Sequence, residues 1–144
     1  LDGVRVIDLT RILAAPFCAM TLAGLGAEVP KVAPPGRGDP VRAHGTKVDG
    51  LSRYFAGVNR HKRSLTLDLR REAGRAVLAD LLAGADVLVA NVRPGALDKM
   101  GLSAARLAAI NPGLVVCSIN GVGSTGPYAD RPAVAFIARR CALS

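Results

Sequence analysis

Apolar positions along this chain fall into short, nearly continuous runs, separated by polar turns and by longer stretches with helical spacing. Residues 4–9 form a β-branched run after Gly3 and predict a first, buried strand. Residues 12–26 are almost wholly apolar; Pro16 suits the first residue of a helix, and Gly24 and Gly26 mark its end. Residues 27–32 predict a second strand with a defect, because Pro30 has no N–H to give a ladder. Either that strand lies at an edge or the sheet is disturbed there. A turn-rich loop follows at 34–40, and residues 41–58 show no regular period. Next, Leu65, Leu67 and Leu69 alternate with Thr66 and Asp68, which predicts a strand over 64–69.

Residues 71–83 return to helical spacing and close at Gly84, and residues 86–90 predict another buried strand. That strand ends in the turn 91–95, which opens a short helix. Ser103 suits the N-cap of a helix carrying Leu107 and Ile110, stopped by Asn111, Pro112 and Gly113. A last strand over 114–119 runs into the glycine-rich loop 120–128. Apolar strands alternating with helices predict an α/β fold with a mainly parallel sheet. In such a sheet the loops after the strands share one edge, where ligands bind.

The basic stretch Asn59, Arg60, His61, Lys62, Arg63 feeds the strand at 64–69. Loop N–H groups and cations at such a junction can hold a phosphorylated ligand; the same run also reads as a solvated charged entry to a strand. Gly121, Gly123 and Gly126 spell G-x-G-x-x-G, but no βαβ unit with an acidic end follows, so this is a weak dinucleotide fingerprint.

Composition narrows the partners. Half of the 144 residues are apolar, enough for one domain with a real core. The absence of a long apolar run and of a basic-then-apolar leader gives the expectation of a soluble, cytoplasmic protein without a membrane partner. Cys18, Cys117 and Cys141 are too widely spaced to suggest a disulfide framework or a zinc site, and no metal is expected. The net charge of +8 calls for an anionic partner, yet aromatics make up only 3% and no reading motif appears. Cations scattered over several loops fit a compact anion better than nucleic acid. A basic nucleic-acid binder is the remote alternative.

The ordered set of these stretches resembles the family III CoA-transferases, the group with formyl-CoA transferase, carnitine CoA-transferase and the α-methylacyl-CoA racemases. The resemblance runs through residues 1–11, 25–29, 34–40, 59–69, 85–89, 93–102, 111–112 and 123–128. It implies a Rossmann-like N-terminal part, truncated relative to longer family members that form interlocked dimers. By matching position, coenzyme A or an acyl-CoA would contact Ile12, Leu13, Pro34, Asn59, Arg60, His61, Lys62, Asn91, Val92, Arg93, Lys99, Asn120, Gly121, Val122 and Gly123. Lys62 and Lys99 would supply charge to its phosphates and loop amides would supply hydrogen bonds.

The family's transferases use an aspartate nucleophile that exchanges an acyl-CoA thioester with a carboxylic acid acceptor. No aspartate of this chain matches that position, Asp130 included, so the resemblance implies no catalytic residue here. The racemase histidine is absent too, since Ala133, Val134 and Ala135 follow Pro132. The expectation is therefore a CoA-binding part that is inactive alone, either self-associating as a homo-oligomer or completed by a second chain. A non-catalytic acyl-CoA binder or decayed fragment is the alternative. Acyl donor and acceptor are not legible.

Overall fold

The computed structural model describes residues 1–93, 95–123 and 125–129. Five parallel strands form the central sheet: β1 (Val6–Leu9), β2 (Pro30–Ala33), β5 (Arg63–Thr66), β6 (Val87–Ala90) and β7 (Val115–Ser118). Their spatial order is β5-β2-β1-β6-β7. The chain thus winds outward from β1 to β5, then returns to lay β6 on the other side of β1. The direction of winding reverses between β1 and β6, which is where an open α/β sheet leaves a crevice.

Alternation along β1 assigns the two faces. Val6 joins Ala19 and Ala23 of helix α1 (Ala14–Gly24), with Ala27, Val29 and Val89, in one buried cluster. Ile7 and Leu9 point the other way. They pack with Leu78 and Leu82 of α3 (Glu72–Ala83) and Leu107 of α5 (Ala104–Ile110). Asn111 joins the two helices of that face: its Nδ2 donates to the carbonyls of Leu82 and Ala85 at 3.1 and 2.7 Å.

Pro30 sits at the first position of β2, and β2 is an interior strand, not an edge. The sheet is instead disturbed beside it. Glu28 donates to Val4 O and accepts from Val6 N, both at 2.9 Å, so with period-two alternation the next donor toward β1 would be residue 30. Proline has none, and the β1–β2 ladder keeps only the Asp8–Lys31 pair. On its other side β2 is fully paired with β5 from Pro30–Arg63 to Ala33–Thr66.

Two further expectations change. The strand at 64–69 ends at Thr66, because Asp68 takes the Arg70 N–H on Oδ1 and the Arg71 N–H on its backbone carbonyl, turning the chain away. Residues 41–58 are not irregular throughout. They hold a 3-10 turn at Pro40–Ala43, a small hairpin of β3 (Lys47–Val48) and β4 (Leu51–Ser52), and α2 (Arg53–Asn59). Ser52 caps α2 by accepting the Phe55 N–H at 3.1 Å. The short helix after the 91–95 turn is α4 (Ala96–Lys99). Residues 130–144, which hold Asp130, Ala133 to Ala135 and Cys141, lie outside the described residues, as do Pro94 and Ser124.

Candidate functional site

The carboxyl edge of the sheet is built around Asp8, which is wholly buried on the α1 side of β1. Its Oδ1 accepts from the N–H and the hydroxyl of Thr10, which folds the chain sharply as it leaves the strand. Its Oδ2 lies 2.8 Å from Lys62 Nζ and 3.9 Å from Lys31 Nζ. Lys31 in turn stands 3.0 Å from Asp39 Oδ2, and donates to Thr10 O at 2.8 Å. Two lysines and two aspartates therefore neutralise one another inside the protein, where an unpaired charge would be costly.

This arrangement revises the role expected of Lys62. Its ammonium has three protons and three acceptors: Asp8 Oδ2 at 2.8 Å, Pro16 O at 2.8 Å and Asn59 Oδ1 at 3.0 Å. The side chain is 2% exposed. Lys62 thus ties β1, α1 and the end of α2 together and directs no proton toward a phosphate. Burial draws its pKa below the ordinary lysine value, with Asp8 pulling in the opposite direction. The folded chain gives up this proton at lower pH than the unfolded chain does. The group's effect on stability is therefore unfavourable below the folded pKa and fades as pH rises toward the ordinary lysine value.

Loop 10–13 is held from two further sides. Arg11 N donates to Asn91 Oδ1 at 2.8 Å and Arg11 O accepts from Asn91 Nδ2 at 2.7 Å, a reciprocal pair that bridges the β1–β6 crevice. Ile12 N donates to Asp39 Oδ1 at 3.3 Å. Ile12 is left-handed with φ 72°, a conformation a β-branched residue adopts at a cost and only where its surroundings impose it. Ile12, Leu13 and Phe17 all present apolar side chains to solvent here.

On the opposite face of the same edge lies a cavity of about 240 Å³. Leu9, Val32, Leu67, Leu69, Val92 and Met100 supply apolar wall, and the exposed Arg11 and Arg70 border it. Lys31 and Asp39 reach it from the buried charge group; Asp39 Oδ2 has the Lys31 ion pair but no hydrogen bond.

The residues expected from the sequence fall into groups around this edge. Ile12 and Leu13 lead into α1, and Lys62 joins Asn59 to Asp8 and Pro16 on that side. Arg60 and His61 form the exposed turn after α2, with His61 left-handed at φ 66°. Pro34 and Val92 line the cavity, and exposed Arg93 follows Val92. Lys99 is exposed at the end of α4, next to Met100. Asn120, Gly121, Val122 and Gly123 follow β7 on the same edge. Within this loop Gly123 N donates to Asn120 Oδ1 at 2.6 Å. The sequence reading passed over Arg11, Lys31, Asp39, Leu67, Arg70 and Met100. Charged residues inside apolar or turn-rich runs, such as Asp8, Lys31 and Asp39, were the available signal. Among the described residues no His, Cys, Asp or Glu cluster could hold a metal, and no helix is long and apolar enough to cross a membrane.

Comparison with known proteins agrees with this architecture. The family model for CoA-transferase family III matches residues 1–142. Acetyl-CoA:oxalate CoA-transferase of Acetobacter aceti is 46% identical over 132 residues, covering 92% of this chain and 34% of that protein. Succinyl-CoA–L-malate CoA-transferase beta subunit of Chloroflexus aurantiacus is 46% identical over 139 residues, covering 96% of this chain and 34% of the relative. A CAIB/BAIF family protein from Brucella suis superposes with a TM-score of 0.89 at 48% identity, over 94% of this chain and 37% of that one. The chain spans about a third of the length of the curated relatives it matches. Fold, switch-point loops and sequence together establish that it belongs to CoA-transferase family III.

Proposed function

We propose that the chain binds coenzyme A or an acyl-CoA across the carboxyl edge of its sheet, as the CoA-binding part of an acyl-CoA:carboxylate CoA-transferase. The observation that carries this reading is the cavity at that edge. A narrow apolar space bordered by two arginines suits a flat base attached to phosphates. In this reading the base enters beside Pro34, Val92 and Met100. The phosphates meet Arg11, Arg70 and Lys99, and the pantetheine arm crosses the loop of Ile12 and Leu13 toward Asn120 to Gly123. Asn59, Arg60, His61 and Lys62 shape the far side, Lys62 as a brace.

The reaction needs a carboxylate that can attack a thioester. Asp8 and Asp39 are buried in ion pairs, which unsuits them for that task. We assign the nucleophile to polypeptide outside the matched third of the family's length, in the same chain or in another. The Chloroflexus relative is a beta subunit by name, which supports the second arrangement. A chain that binds acyl-CoA without turnover is the other reading, and the same burial of Asp8 and Asp39 favours it for these residues alone.

Calorimetric titration with CoA tests the site. Saturable binding is expected. Arg70→Ala and Lys99→Ala should each weaken it roughly tenfold, the equivalent of about 1.5 kcal/mol for a hydrogen bond to a charged group. Val92→Trp, which fills the cavity, should abolish it. A cooperatively folded chain that takes up no CoA overturns the reading, and binding unaffected by Val92→Trp overturns the cavity as its seat.

A further inference from the structure

The backbone that leaves β1 is bound by side chains at every polar atom from Thr10 N to Ile12 N. Thr10 N donates to Asp8 Oδ1, and Thr10 O accepts from Lys31 Nζ. The side-chain amide of Asn91 takes Arg11 N and Arg11 O, and Asp39 Oδ1 takes Ile12 N. The partners come from β1, β2, the start of the 3-10 turn and the end of β6. Peptide groups turned inward in this way are not donors for a ligand. What the loop offers is its shape, together with the exposed side chains of Ile12 and Leu13.

That shape depends on the last residue of the series. Ile12 has φ 72°, and a β-branched residue without constraint leaves the left-handed region. Asp39 is the group placed to prevent this. Its Oδ1 also accepts the Val41 N–H at 3.0 Å, and its Oδ2 stands 3.0 Å from Lys31 Nζ. The carboxylate is 1% exposed and fixed from both the 3-10 turn and β2, so it does not swing to follow the loop.

We infer that Asp39 is a positioning residue for acyl-CoA, a role that rests on the CoA binding proposed above. It holds Ile12 in the left-handed form, so that loop 10–13 meets the ligand's pantetheine arm already shaped. Without the Asp39 carboxylate the loop relaxes. The ligand then binds only the fraction of molecules that still hold the left-handed form, and its apparent affinity falls by that fraction. Glycine at position 12 would remove most of this dependence, because it takes either hand about equally.

The test is calorimetric titration of wild type, Asp39→Ala, Ile12→Gly and the double variant. The ligands are CoA and adenosine 3′,5′-bisphosphate, which lacks the pantetheine arm. Asp39→Ala should weaken CoA about tenfold, the usual penalty of a left-handed residue, and the bisphosphate by less than about twofold. In the Ile12→Gly background the same substitution should weaken CoA only about twofold. Should the stranded Lys31 keep Asp39→Ala from folding, the comparison is made with Lys31→Met added, which leaves Asp8 paired with Lys62. A second measurement keeps Asp39 in place: Ile12→Gly should melt about 3–6 °C above Ile12→Ala. Equal losses for CoA and the bisphosphate overturn the inference. So does a loss undiminished by Ile12→Gly, an unchanged CoA affinity in a folded Asp39→Ala chain, or equal melting of Ile12→Gly and Ile12→Ala. A wild type that binds no CoA overturns the proposed function as well, which the other outcomes leave standing.

Discussion

Lys62 shows how far residue type can mislead about role. A lysine in a basic run before a strand reads as a cation offered to a ligand, yet three protein acceptors occupy its ammonium. What was legible was a basic run before a strand; that Asp8 lay opposite Lys62, 54 residues away in sequence, was not. Lys62→Met should destabilise the chain by about 3–5 kcal/mol, because Asp8 then keeps only the more distant Lys31 as a countercharge. The double variant Lys62→Met with Asp8→Asn should recover much of that loss, since the stranded charge is gone. Urea denaturation of the wild type, both single variants and the double variant measures the coupling. Purely additive effects would contradict the buried pair.

The elements most legible in the sequence are β1 and β6, whose apolar residues are buried almost continuously, and α3, whose buried Leu78 and Leu82 keep helical spacing. Those it missed owe their form to contacts no period records. The seven residues of α2 contain Gly57 and bury only Val58 and Asn59, so they show no helical stripe. Their helix starts at the Ser52 cap, and Ser52 itself is fixed by its bond to His44 O at 2.6 Å. Gly74 makes a similar point within α3. A Cβ there would overlap the carbonyl of Asp68, so the helix packs against the backbone of the turn that carries cavity residues 67–70. Arg75 Nη1 ties down the same turn through the carbonyls of Leu69 and Arg70 at 3.2 and 2.9 Å. Gly74→Ala should therefore lower stability by about 1–3 kcal/mol despite alanine's better helix propensity. Thermal unfolding checks this; a raised Tm would show that the helix can shift without strain.

At the scale of the whole molecule, the class of sheet was legible and its strand order was not. Apolar strands announce burial on both faces, but nothing in residues 27–33 says that β2 lies inside the sheet in spite of Pro30. Position there is set by the crossovers and by the pairing of β2 with β5. At the opposite edge β7 leaves Val115 61% and Val116 43% exposed. An apolar strand edge is a template for further pairing, so sedimentation equilibrium should find the chain self-associated. Val115→Lys with Val116→Lys should shift it toward monomer; a wild-type chain that stays monomeric at every concentration would refute this use of the edge. The buried quartet of Asp8, Lys31, Asp39 and Lys62 carries no net charge, so the whole excess of +8 belongs to the rest of the chain. Its field reaches about 8 Å into a solution of physiological ionic strength and gathers small anions before any contact forms. Capture of a polyphosphate ligand is then fastest in dilute buffer and slows as salt is added, while the neutral brace beneath the site feels no difference.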